Sequence, residues 1–239
     1  MKETNKSIAE RTLRIIDEGT YLFGDNNIEV SDQIRKSVSG TFTVSPDEFD
    51  TLSFETITEQ TEIVFKNGTT IEALLDEKSG FRTCLLNFAS AKNPGGGFLG
   101  GASAQEESLA RSSSLYASLI KDETMYTYNR GRSTYLYSDY MIYSPEVLFW
   151  MNDEGESLPK PFVSDVLTAP APNKGAMIQN NRPEQILELE KVFRIRMDKM
   201  FRLAASQKAE YLILGAWGCG VFRNEPEFVA ACFEELLAT

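Results

Sequence analysis

Asn93-Pro94-Gly95-Gly96-Gly97 and, after a gap of seven residues, Gln105-Glu106-Glu107 form the part of this sequence best equipped for chemistry. Three consecutive glycines clear the backbone of side chains, let it take positive φ, and allow its N–H groups to press against an anion. Two adjacent carboxylates follow at the start of an expected helix, within reach of whatever the loop holds. The combination suggests a phosphate-bearing ligand and acid–base chemistry on a neighbouring bond. A second glycine-rich stretch, Gly215 to Phe222, follows another apolar run. Two such loops fit the two walls of a diphosphate clamp; a pair of plain strand–helix turns is the structural alternative.

Several chemistries are excluded. There is no histidine, which removes Ser-His-Asp and Cys-His catalysis and the common histidine zinc sites. Acid–base work therefore falls to carboxylates, lysine or tyrosine. The first loop lacks the Lys-Ser/Thr of a P-loop, and Gly218-Cys219-Gly220 continues without the third glycine of a dinucleotide fingerprint. Cys219 has no histidine to activate it as a nucleophile. Three cysteines without CxxC spacing do not make a disulfide framework. No metal or other cofactor is expected.

The formal net charge of −11, from 24 basic and 35 acidic residues, argues against tracking nucleic acid through its phosphates. An anionic ligand must instead be gripped locally. No run approaches the roughly 18 apolar residues of a membrane span, and the amino terminus lacks the apolar core of a secretion signal. The expectation is a cytoplasmic protein, off the membrane and monomeric.

Individual residues carry alternatives. Ser103-Ala104-Gln105-Glu106 matches a capping box, so Glu106 either reaches back to the helix start or meets a ligand. On a helix wheel Glu107 lies opposite the Leu109/Tyr116 stripe, so it is solvated or turned toward a ligand. Successive helix residues are about 100° apart, so the pair is not expected to share a face; one should bind and the other catalyse. Asn87, inside an apolar strand, satisfies a neighbouring backbone group or contacts a ligand. Phe222 is core or stacks on a sugar. The tyrosines between Tyr126 and Tyr143 read as packing and hydroxyl tethers.

The elements that must position these groups alternate in type. Helices are expected at Ser7–Glu18, Thr70–Lys78, Ser103–Ile120, Pro183–Ser206 and Pro226–Leu237. The longest carries Ile186, Leu189, Phe193, Met197, Met200 and Ala204 on one stripe, with proline in its first turn. Strands are expected at 41–44, within 52–65, at Thr83–Phe88, at 140–143, at Phe162–Leu167 and at Tyr211–Leu214. The rest of 121–150 reads as irregular, and 152–161 as a polar loop. This order implies an α/β sheet with helices on both faces, its ligand beyond the carboxyl ends of the strands. Both glycine loops follow buried strands and should converge there.

The run Leu86-Asn87-Phe88-Ala89-Ser90-Ala91-Lys92-Asn93-Pro94-Gly95-Gly96-Gly97, then Gln105-Glu106-Glu107, resembles the signature of the microbial-type poly(ADP-ribose) glycohydrolases: three glycines, a short spacer, then Gln-Glu-Glu. Gly215 to Phe222 resembles that family's second diphosphate loop. Ile8 to Tyr21, Tyr143-Ser144-Pro145 and Asp165 to Asn173 are also similar, so the likeness runs along nearly the whole chain. It implies a three-layer α/β/α macrodomain fold, a mixed sheet between helices with ADP-ribose across the strand ends. Residues 1–239 would form one such domain, with a helix-and-strand extension over about the first 60 residues. The sequence ends at Thr239 straight after the last expected helix, where the resemblance implies a further strand and a short tail.

By the same resemblance Glu107 is the catalytic acid, and Glu106 hydrogen-bonds the ribose hydroxyls beside the scissile bond. Gly95, Gly96 and Gly97 would lie along the diphosphate and terminal ribose. Gly218, Gly220 and Val221 would form the opposite phosphate wall, with Phe222 on the terminal ribose. Gln105, Asn87 and Cys219 join the substrate-binding set. The implied reaction is hydrolysis of the ribose–ribose bond of poly(ADP-ribose) on modified proteins, releasing ADP-ribose. The alternatives are removal of a single ADP-ribose from protein or nucleobase, and ADP-ribose binding without turnover.

Overall fold

The computed structural model describes residues 4–54, 61–77 and 80–237. Its centre is a five-stranded mixed sheet. Strand β4 (Thr83–Phe88) pairs in parallel with β6 (Ser157–Ala169) on one side and β7 (Tyr211–Ile213) on the other. Strand β5 (Met141–Met151) runs antiparallel to β6, and β3 (Phe42–Val44) antiparallel to β5, giving the order β3-β5-β6-β4-β7. A separate hairpin, β1 (Thr20–Phe23) and β2 (Asn26–Glu29), lies near the amino terminus. Because β4 and β7 are parallel neighbours, the two glycine loops leave the sheet at the same edge.

Alternation along the strands sorts the core into layers. Cys84 and Leu86 point to the face covered by α8 (Pro183–Ser206) and α9 (Pro226–Leu237), among Phe193, Met197, Leu203 and Val229. Leu85 points the other way, toward α3 (Thr70–Asp76), α4 (Gln105–Ser112), α5 (Leu115–Leu119) and α6 (Thr124–Arg130). Period two therefore aims Asn87 at α4. A third cluster packs α1 (Asn5–Glu18), α2 (Ser31–Gly40) and the hairpin onto Leu148, Trp150 and Met151 at the far end of β5. Helix α1 is closed at its start by the Thr4 hydroxyl accepting from the Ser7 N–H, and at its end by Gly19 at φ +73°.

Several expectations change. The helix expected over 103–120 is two helices, because Ser113 and Ser114 turn to β5: Ser113 bridges to Phe149, and the Ser114 N–H donates to Leu148 O at 2.9 Å. Serine hydroxyls offer the backbone a competing partner, and Ser113 Oγ takes up the Leu109 carbonyl. The capping box is absent: Ala104 occupies the cap position without a side-chain bond, and Glu106 has other partners. Strand 140–143 extends to Met151, and β6 starts at Ser157, within the expected polar loop. Pro159 and Pro161 sit at the register shift between Phe149 and Met151, where a missing N–H breaks no regular ladder. Residues 52–54 and 61–65 carry no strand despite their β-prone composition; Phe65 is 94% exposed, and 55–60 lie outside the described residues. Helix α3 ends at Asp76, while Lys78 lies outside the described residues. The hairpin, α2, α6 and α7 (Lys174–Gln179) had no counterpart in the sequence reading.

Candidate active site

The first turn of α4 meets the first glycine loop at the end of β4. Glu106 is 3% exposed and both its oxygens are engaged: Oε1 accepts from Asn87 Nδ2 at 3.3 Å, and Oε2 from the Ser90 N–H at 2.7 Å. Asn87 also donates to Thr168 Oγ1 at 3.2 Å, so it serves side chains rather than a backbone group, and its Oδ1 is buried without a partner. Glu107 is 8% exposed. Its Oε1 accepts the Gly97 N–H at 2.8 Å, while its Oε2 is buried and receives no hydrogen bond.

The two carboxylates leave the helix in different directions yet arrive at one point. Gly96 holds φ +60°; a Cβ there would overlap Glu107 Oε1 and stand 3.0 Å from Glu106 Oε2. The expectation of separate faces is thus corrected at the tips: a glutamate is long enough to carry both groups around to the same glycine. Burial pushes the Glu106 carboxyl up to about 8, against hydrogen bonds that favour its charge, and the Glu107 carboxylate adds to the rise.

Gln105 of the motif and residues beyond it hold this pair. Gln105 accepts the Phe88 N–H at 2.9 Å and donates to Leu86 O at 2.8 Å. Arg111, one turn beyond Glu107, is buried and donates to the Ala102 carbonyl; the charges of Glu107 and Asp153 oppose the loss of its proton that burial favours. Ser108 donates to Asp153 Oδ1 at 2.9 Å, tying α4 to the β5–β6 turn. The i,i+4 spacing of Glu107 and Arg111 was the one signal of these partners in the sequence.

The second loop is built differently. Trp217 lies wholly beneath it, donates Nε1 to Ala169 O at 2.9 Å, and packs 4.7 Å from the Phe193 ring. Gly218 turns at φ +76° against Ala171 and Asn224, and a Cβ would stand 2.6 Å from either. Asn224 Nδ2 bridges Pro172 O and Gly218 O at 2.9 Å each. Above this base Gly220 faces open space and Val221 is 78% exposed. Phe222 is half-buried against the α8/α9 core, its ring 6.0 Å from Tyr137, which itself sits at φ +59°. Cys219 is half-buried, and burial followed by the Glu227 and Glu225 charges raises its thiol pKa, which disfavours a nucleophile. Among the described residues no cluster of three or more Asp, Glu or Cys could hold a metal ion, and no helix is long and apolar enough to cross a membrane.

Residues 9–152 match the microbial-type PARG catalytic domain. The chain belongs to the microbial-type poly(ADP-ribose) glycohydrolase family. Its structure superposes on the poly(ADP-ribose) glycohydrolase of Thermomonospora curvata with a TM-score of 0.91 at 38% identity, covering 97% of this chain and 86% of that one. The same enzyme bound to the inhibitor ADP-HPD gives 0.86 at 38% identity over the same shares. The Deinococcus radiodurans enzyme in complex with ADP-ribose gives 0.75 at 43%, covering 86% of this chain and 84% of that one. No curated protein sequence matches. The mixed sheet between helical layers is the macrodomain-like fold of this family.

Proposed function

We propose that this chain hydrolyses the ribose–ribose O-glycosidic bond of poly(ADP-ribose), releasing ADP-ribose, with Glu107 as the acid and then the base. One observation carries the assignment within the pair. Glu106 has both oxygens tied to the protein, whereas Glu107 keeps one buried oxygen, Oε2, without a partner. A group that must pass a proton to a sugar oxygen needs such an oxygen.

The diphosphate lies between the Gly95–Gly97 and Gly218–Val221 walls; the Gly96 and Gly97 N–H groups are spent on Asn93 O and Glu107 Oε1, so the first wall offers it close, side-chain-free approach and the second wall its backbone donors. A cavity of about 570 Å³ opens beside the start of the second loop, between α3, the first turn of α4 and β7, lined by Thr70, Phe88, Gln105, Gly215 and Ala216 but by neither glutamate. Glu107 protonates the departing ribose hydroxyl as the anomeric carbon becomes oxocarbenium-like. The resulting carboxylate takes a proton from the attacking water. Glycosidases with two catalytic carboxyl groups set them about 5–9.5 Å apart across the bond. Adjacent residues meeting at one glycine cannot straddle a sugar, so substrate phosphate supports the cationic centre instead. The chain is read as one domain working as a monomer.

Incubation with poly(ADP-ribose) is expected to yield free ADP-ribose, resolved by anion-exchange chromatography. A mono-ADP-ribosylated protein run in parallel distinguishes the closest alternative, because both substrates present the same ADP-ribosyl group. Tight ADP-ribose binding with neither substrate consumed would overturn the catalytic reading.

A further inference from the structure

Gln105 stands where a strand should be. In the β4–β7 ladder Thr83 pairs with Tyr211, Cys84 with Leu212 and Leu85 with Ile213, and there β7 stops. On its other side β4 stays paired with β6 as far as Phe88 and Ala169. The Leu86 carbonyl and Phe88 N–H therefore face the space that β7 has left. Gln105 fills it: Oε1 accepts from Phe88 N at 2.9 Å and Nε2 donates to Leu86 O at 2.8 Å. A primary amide has the donor and acceptor of a peptide group, and here it meets the same N–H and C=O that a neighbouring strand would. The second Nε2 hydrogen reaches Thr70 Oγ1 at 3.2 Å.

We propose that Gln105 is a positioning residue that substitutes for the missing length of β7 and thereby aims the two glutamates. Two consequences follow from the substitution. The second glycine loop peels away from β4 after Ile213 without leaving buried main-chain groups unpaired, which opens the cleft between the loops. The first turn of α4 is bolted to the last residues of β4, so Glu106 and Glu107 are set relative to Asn87, Ser90 and Gly97. This rests on the proposed glycohydrolase reading for its readout.

The test compares wild type, Gln105→Ala and Gln105→Glu with poly(ADP-ribose), measuring kcat and KM between about pH 5.5 and 9, with melting curves as a check on folding. A misplacement of about 1 Å costs on the order of 100-fold in rate, so Gln105→Ala should lose about that much kcat while KM moves only a few-fold. Gln105→Glu carries the sharper outcome. A neutral carboxyl at 105 can still accept from Phe88 and donate to Leu86; an ionised one repels that carbonyl. Its activity relative to wild type should be near unity at the acid end and fall as pH rises, whereas the Gln105→Ala ratio stays flat. The titratable groups around the position are Glu106 beside it and Lys66, Asp76, Glu77, Asp153 and Tyr211 lining the same cavity. This mainly acidic setting keeps an introduced carboxyl neutral further up the scale. A raised KM with unchanged kcat in Gln105→Ala, or a pH-independent Gln105→Glu ratio, would overturn the inference. Absence of turnover in wild type would instead overturn the function on which it rests.

Discussion

The two glycine loops look alike in sequence and differ in what compels the glycines. At Gly96 the constraint comes from above, where both carboxylates occupy the space that a side chain would need. At Gly218 it comes from below, where Ala171 and Asn224 press the turn onto the Trp217 platform. Gly220, two residues on, meets nothing within 4 Å. In the proposed function the first loop is the reactive wall, shaped around acids, and the second the binding wall, rigid underneath and open toward the cleft. A glycine-rich loop therefore has no single meaning; its role depends on which side the crowding comes from.

Removing the acid tests the reactive wall most severely. Glu107→Gln should lose at least the 10²–10⁴ in kcat expected of acid–base assistance, with calorimetric ADP-ribose affinity within a few-fold. Polymer turnover near the wild-type rate would transfer the chemistry to another group. Gly96→Ala comes next: a methyl at φ +60° on the Glu107 carboxylate should displace it and cost roughly 100-fold in kcat. Gly220→Ala is the matched probe of the binding wall, where a methyl intrudes only on bound ligand. It should raise KM by roughly tenfold and leave kcat within about threefold, the pattern of lost uniform binding. If the two alanine variants gave the same kinetic signature, the contrast between the walls would collapse.

A further effect concerns stability rather than turnover. Glu106 keeps its proton in the fold up to about pH 8 but loses it near the ordinary carboxylate value when unfolded. Between those values the folded state binds more protons, so stability falls as pH rises, by at most roughly 1.4 kcal/mol per pH unit for one proton. The decline ends above the folded value. Glu106→Gln should flatten this slope, measured by denaturant unfolding from about pH 5 to about pH 9. An unchanged slope would mean that Glu106 ionises normally, and the reactive wall would lose its protonated neighbour.

Much of the frame was legible in local pattern. Thr83–Phe88, Pro183–Ser206 and Pro226–Leu237 were read with their observed bounds, because a buried strand and amphipathic helices with proline in the first turn carry periodic signals. The glycine loops were placed correctly after β4 and β7. The long β5–β6 hairpin was underread because its prolines signal a loop, while its irregular register removes their cost. The break at Ser113 was invisible because its cause lies in Phe149 and Leu148, across the sheet.

Composition and spacing were enough to establish which chemistry was available: no histidine, two adjacent glutamates, and a side-chain-free loop at a fixed distance before them. They could not establish which glutamate would have a free oxygen. That depends on Asn87 and Ser90 claiming Glu106, on Gly97 holding one oxygen of Glu107, and on β7 ending where Gln105 begins. Strand order and register set those distances, and they arise from packing between segments far apart in the chain, which local periodicity does not encode.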